Sequence, residues 1–138
     1  MTLDADVVRG RSTEIQQAVD RLTRIRNAGR SAFLEDADAR DIASYRLLLA
    51  IEASLAPCYH VSARRLKRVP EDYAGCFGGL ADAGLISADL SVRLQQMARF
   101  RNLLVHVYGH VDYNRVFDVL ESDLDDLRTF SQAIAALV

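Results

Sequence analysis

Four polar side chains interrupt an otherwise apolar pattern in the stretch Phe100-Arg101-Asn102-Leu103-Leu104-Val105-His106-Val107-Tyr108. Polar groups on an apolar helix need partners, so each of the four asks for a chemical reason to be there. At about 100° per residue, Asn102 and His106 share one helix face and Arg101 and Tyr108 the adjacent one, so the four can line one shallow cleft. Arginine supplies a permanent charge and a planar fork matched to phosphate oxygens, and histidine is the side chain best suited to moving protons near neutral pH. Phosphodiester cleavage suits the pair. In RNA the neighbouring 2'-hydroxyl can act as nucleophile. A metal-free site then needs only proton transfer, by His106, and neutralisation of the charge that develops at phosphorus, by Arg101.

Each residue also has a plainer reading. An arginine and a histidine five positions apart occur often by chance, and a hydrogen-bonded structural histidine is the ordinary alternative. Tyr108 can pack its ring and expose its hydroxyl. His106 and His110 lie four apart, as in a two-histidine metal face, but no glutamate stands between them, no third ligand is evident, and Gly109 interrupts the helix such spacing assumes. No metal and no cofactor are expected. His60 reads as structural or solvent-facing. Glu52, on an apolar helix, can pair with an arginine but receives no role. Tyr45, Tyr73, Phe77, Phe100 and Phe130 read as core or dimer-interface residues.

The elements that must position these residues follow from periodicity. Val8, Ile15, Ala18, Val19, Leu22 and Ile25 recur at steps of three and four, predicting a helix from about Asp4 to Asn27 with Gly29 as its stop. A second helix runs from about Asp36 into the low sixties with Ile42, Tyr45, Leu49, Ile51, Glu52 and Leu55 on a broad face. Pro57 falls inside it and predicts a kink or break. Pro70 suits the first turn of a short third helix that carries Tyr73, Phe77 and Leu80 and closes at Gly84. Ser87 caps a fourth helix, which continues to about His106, and Asp112 caps a last one running from Tyr113 to the end.

At 138 residues and 50% hydrophobic composition, the chain reads as one domain over residues 1–138 with a single core. The fold class is all-α: an up-and-down helical bundle of about four long helices and a short one. No apolar run approaches the roughly 20 residues needed to cross a bilayer, and the first dozen residues mix acids with arginines, so a cytoplasmic protein without membrane association is expected. Cys58 and Cys76 lack CxxC spacing and read as reduced packing residues. The net charge of −2 argues against bulk capture of nucleic acid, but the charge is uneven. Arg64, Arg65, Lys67 and Arg68 place four positive charges in five positions, while five acids lie between Asp118 and Asp126. The basic run is either a solvated loop, lacking the interleaved aromatics of a single-strand platform, or an electrostatic guide for RNA.

The segment RNLLVHVY resembles the R-x4-H-x-Y signature of HepT-like proteins of the HEPN superfamily. The similarity extends to PEDYAGCFGGLADAGLIS, Leu94, Met97 and the FRN lead-in, over roughly residues 70 to 108, and more loosely to LLLAIEASL in the second helix. Arg99, where a small residue is common, and the unusually basic ARRLKR segment depart from the pattern. The resemblance implies an HEPN-like bundle that dimerises so that two motifs face one composite cleft. It gives Arg101 and His106 the catalytic roles and makes Asn102 an orienting neighbour. It also implies an MntA-like minimal nucleotidyltransferase antitoxin that neutralises the toxin by transferring AMP to Tyr108. Bulk and negative charge beside the arginine that must receive a phosphate give that modification a physical reason to inhibit. Two function classes follow: a metal-independent RNA endonuclease toxin acting on tRNA or mRNA as a homodimer, or a non-catalytic nucleotide- or RNA-binding module that supports a nucleotidyltransferase.

Overall fold

The structure, a computed structural model, describes residues 2–106 and 111–138, with Val105 and His106 described as helical backbone. Its described residues form seven helices: α1 (Ala5–Asn27), α2 (Arg30–Glu35), α3 (Ala37–Arg64), α4 (Tyr73–Asp82), α5 (Ala88–His106), α6 (Tyr113–Ser122) and α7 (Leu124–Ala135). The expected all-α bundle is what forms.

Helix α3 is the hub. It touches each of the other six helices, with its broadest contact on α1, while α1 also lies along α7 and α4 pairs with α5. The α1 residues at steps of three and four, Val8, Ile15, Ala18, Val19 and Leu22, are buried as periodicity requires. Phe33, Phe77 and Phe130 are fully buried with Leu47, Leu80, Leu94 and Leu127, and Phe77 meets Phe130 edge to face at 5.5 Å between ring centroids. Removing that much aromatic surface from water stabilises the fold by about 2 to 3 kcal/mol per ring.

The helix ends follow local chemistry. Asp4, Asp36, Asp72 and Asp112 each accept hydrogen bonds from first-turn backbone N–H groups, satisfying donors that a helix leaves unpaired. His60 adds a further tie: its Nε2 accepts from the Asp4 N–H at 2.9 Å, joining the start of α1 to α3. Gly84 ends the turn after α4 at φ +76°, which a side chain would make costly.

Four expectations are corrected. The segment after Gly29 is not a connection but the short helix α2, whose Phe33 is drawn into the core. Of the kink or break expected at Pro57, the break does not occur: α3 runs 28 residues through it with the ring buried. The third helix starts at Tyr73 with Asp72 as its cap, not at Pro70, because the carboxylate satisfies orphan donors that proline cannot. The last helix is divided at Asp123, which has φ −116° and closes α6 by donating its N–H to the Val119 carbonyl.

Cys58 on α3 and Cys76 on α4, expected as separate reduced thiols, form a disulfide between fully buried positions with a Cα separation of 6.1 Å. Their 18-residue spacing is not a sequence motif; the α3–α4 packing brings them together. The acidic stretch is not a free acidic face either. Asp118 and Glu121 hold Arg30 at 2.6 and 2.7 Å, and Asp126 holds Arg93 at 3.0 Å.

Candidate active site

Arg101 sits in the third quarter of α5, where the helix crosses α3. Its Nε and Nη2 both donate to Oε1 of Glu52 on α3, and its Nη1 donates to Oδ1 of Asn102 at 3.2 Å. Its guanidinium lies 5.6 Å from the ring centroid of Tyr73 at the start of α4, within cation–π range. Tyr73 in turn meets Tyr59 edge to face at 5.8 Å. Three helices thus converge on one cation, whose side chain retains 20% exposure.

The arrangement has a chemical consequence. An arginine carries five N–H donors in a fixed planar fork. Glu52 occupies the side edge and Asn102 one donor of Nη1, so the remaining N–H groups of the end are available to an oxyanion. A free arginine would have to order its side chain when it binds; this one is already ordered, which lowers the cost of meeting a phosphate.

Of the residues expected from sequence, Arg101 and Asn102 are brought together. Helix α5 persists through His106, so that residue follows Asn102 by one turn. The His106 side chain, together with Tyr108 and the Gly109 and His110 positions, lies outside the described residues. Arg64, Arg65, Lys67 and Arg68 are exposed around the end of α3. Arg64 lies 12 residues beyond Glu52 on α3, about 18 Å along the helix axis, so the basic segment is not part of the Arg101 cluster. Arg64, Arg65 and Lys67 instead border a separate cavity of about 480 Å³ with Leu3 and the C-terminal Leu137 and Val138. Among the described residues, no group of three or more His, Cys, Asp or Glu side chains is placed to hold a metal ion. None of the described helices is long and apolar enough to cross a membrane.

Sequence reasoning left two members of the site without a role. Glu52 was legible as a carboxylate on an apolar helix, which needs a cation; only the fold identifies that cation as Arg101. Tyr73 had no distinguishing signal among the aromatic residues. Glu52 also opens onto a groove of about 480 Å³ between α1 and α3, bordered by Arg11, Glu14, Arg46 and Leu49.

A family model described as Ribonuclease HepT-like matches residues 15–134 of the chain. The chain is 26% identical over 131 residues to the mRNA nuclease HepT of Shewanella oneidensis, an alignment that covers 95% of this chain and 98% of that protein. Among solved structures, it is similar to the tri-AMPylated Shewanella oneidensis HEPN toxin in complex with MNT antitoxin, with a TM-score of 0.86, 26% identity and coverage of 95% and 98% of the two chains. It is also similar to a toxin–antitoxin crystal structure with AMP-PNP, with a TM-score of 0.83, 25% identity and coverage of 94% and 98%. The Bacillus subtilis cytosolic protein YutE has the same fold at 14% identity, with a TM-score of 0.85 over 99% of this chain and 92% of that one.

Proposed function

The chain belongs to the Ribonuclease HepT-like family, and from that membership we propose that it is a metal-independent RNA endonuclease and the toxin of a toxin–antitoxin pair. The observation that carries the reading is the preordered Arg101, held by Glu52 and Asn102 one helical turn before His106.

The chemistry is a transfer within the RNA strand. One imidazole removes the proton of a ribose 2'-hydroxyl, whose oxygen attacks the adjacent phosphorus. The bond to the departing 5'-oxygen breaks, and that oxygen takes a proton from an imidazolium. A 2',3'-cyclic phosphate and a 5'-hydroxyl result. Arg101 neutralises the phosphoryl oxygens as charge accumulates. One His106 can be base or acid at a given moment but not both, so two copies of the chain facing one cleft supply the pair. Ile42, Tyr45 and Leu49 support such a dimer: spaced three and four apart on α3, they are 49%, 58% and 37% exposed, and the stripe they form leads to Glu52. A second copy covering it would sit beside Arg101.

The partner in this reading is an MntA-like nucleotidyltransferase that places AMP on Tyr108, as the AMPylated state of the Shewanella toxin suggests. The substrate is messenger RNA or tRNA, the former by analogy with the Shewanella nuclease.

Purified protein should cleave RNA in excess EDTA and leave cyclic-phosphate ends, and Arg101→Ala and His106→Ala should each lower the rate by at least a hundredfold, the scale of one lost proton-transfer or charge-stabilising group. Retention of RNA without fragmentation would instead identify a binding module that supports the nucleotidyltransferase.

A further inference from the structure

Residues at the start of α4 and along α5 line a depression of about 240 Å³. Two residues that touch the Arg101 guanidinium, Tyr73 and Asn102, also line this depression. The depression therefore adjoins the residues that hold Arg101. Its other polar walls are Asp72, Gln95 and Arg99, and Ala98, small and buried, gives it depth.

The polar atoms form a mixed pattern. Asp72 uses Oδ1 to accept from the Gly75 N–H at 2.6 Å, which fixes the carboxylate and leaves Oδ2 as an acceptor. Gln95 is anchored by its Nε2, which donates to Ser91 Oγ at 3.0 Å, leaving Oε1 as an acceptor. Arg99 is exposed and makes no ion pair among the described residues, so its fork is an available donor. The Asn102 Nδ2 is a second donor, since its Oδ1 is occupied by Arg101. Acceptors on Asp72 and Gln95 beside donors on Arg99 and Asn102 in one small depression, with an aromatic ring among its lining residues, match the hydrogen-bonding edge of a planar heterocycle. A second phosphate would not use the acceptors in this way, because Asp72 repels an anion.

Resting on the ribonuclease reading, we propose that this depression is a nucleobase subsite that selects the nucleotide flanking the scissile phosphate, with Asp72 and Arg99 reading the base and Tyr73 flanking it. The phosphate rests on Arg101, and the base attached through the same nucleotide enters the α4–α5 depression. Cleavage is then base-selective at one position.

Two measurements test this. In the first, products from a randomised RNA oligonucleotide are sequenced for wild type, Asp72→Asn and Arg99→Ala. Asparagine caps a helix as well as aspartate does, so Asp72→Asn removes the charge while keeping the start of α4. Wild type should prefer one base beside the cut on the order of tenfold, the discrimination of a few hydrogen bonds, and both variants should flatten that preference. An unchanged preference in the variants, or none in wild type, overturns the subsite. In the second, binding of the four nucleoside 3'-monophosphates and of ribose 5-phosphate is measured by calorimetry. Wild type should favour one nucleotide and Asp72→Asn should not. Discrimination among nucleotides without RNA cleavage would remove the nuclease reading and keep the subsite; equal binding of all five removes the subsite.

Discussion

At the scale of single residues, Glu52 is the contact on which most depends. A half-buried carboxylate that accepts from two nitrogens of Arg101 ties the cation to α3 and turns its free end outward. Glu52→Gln keeps an oxygen acceptor but loses the charge, and Glu52→Ala loses both. If Glu52 orients Arg101, the two variants should lower kcat in that order, by about tenfold and about a hundredfold, with KM for RNA changing less. Equal loss in kcat and in folding stability would indicate a structural role alone. Sequence periodicity put Arg101 and Asn102 on adjacent faces of one helix and left Glu52 as a carboxylate able to pair with an arginine. It could not pair them, because a 49-residue separation carries no local signal. The cysteines show the same limit: Cys58 and Cys76 carry no motif, and only the docking of α4 on α3 joins them.

At the scale of elements, strongly periodic helices were legible and their interruptions were not. The α1 stripe and the aspartate caps are local properties. The division of the last helix at Asp123 has no glycine or proline to announce it, and α3 persists through Pro57 where Leu55, Pro57 and Cys58 are buried together. Asp123 carries a testable cost. Burial, with Asp126 nearby, pushes its carboxyl up from its usual 3.8 to about 6, against the opposing pull of Arg93. A carboxyl whose folded pKa is raised favours the fold while protonated, below about pH 4, and that contribution is lost as pH rises through about 6. Asp123→Asn should therefore be more stable than wild type at pH 7.5, by about 1 kcal/mol or a few degrees in Tm once solvent screening of the half-exposed group is allowed for. The gain should vanish near pH 4 in thermal denaturation, and a gain that is the same at both pH values would exclude this account. In the core, Phe77→Ala should cost about 3 to 5 kcal/mol in denaturant unfolding, because α4 would lose its edge-to-face contact with Phe130 along with its cavity filling.

At the scale of the whole molecule, the α-helical bundle was readable from composition and period, whereas the distribution of charge was not. Acids that looked like a free face hold Arg30 and Arg93 between helices, and the basic end of α3 lies about 18 Å along the helix axis from Glu52, the residue that holds Arg101. Assembly is the remaining property of this scale. Tyr45→Glu, placed in the centre of the exposed α3 stripe, should shift sedimentation from dimer toward monomer and lower RNA cleavage in parallel; a monomer with full activity would show that the stripe serves something else. The most direct measurement of the composite site is subunit mixing. Wild type and His106→Ala chains are co-refolded at varied ratios and assayed for RNA cleavage at constant total protein. If base and acid come from two copies, activity should fall as the square of the wild-type fraction. A decline in simple proportion to that fraction would mean that each chain cuts by itself, contradicting the shared cleft.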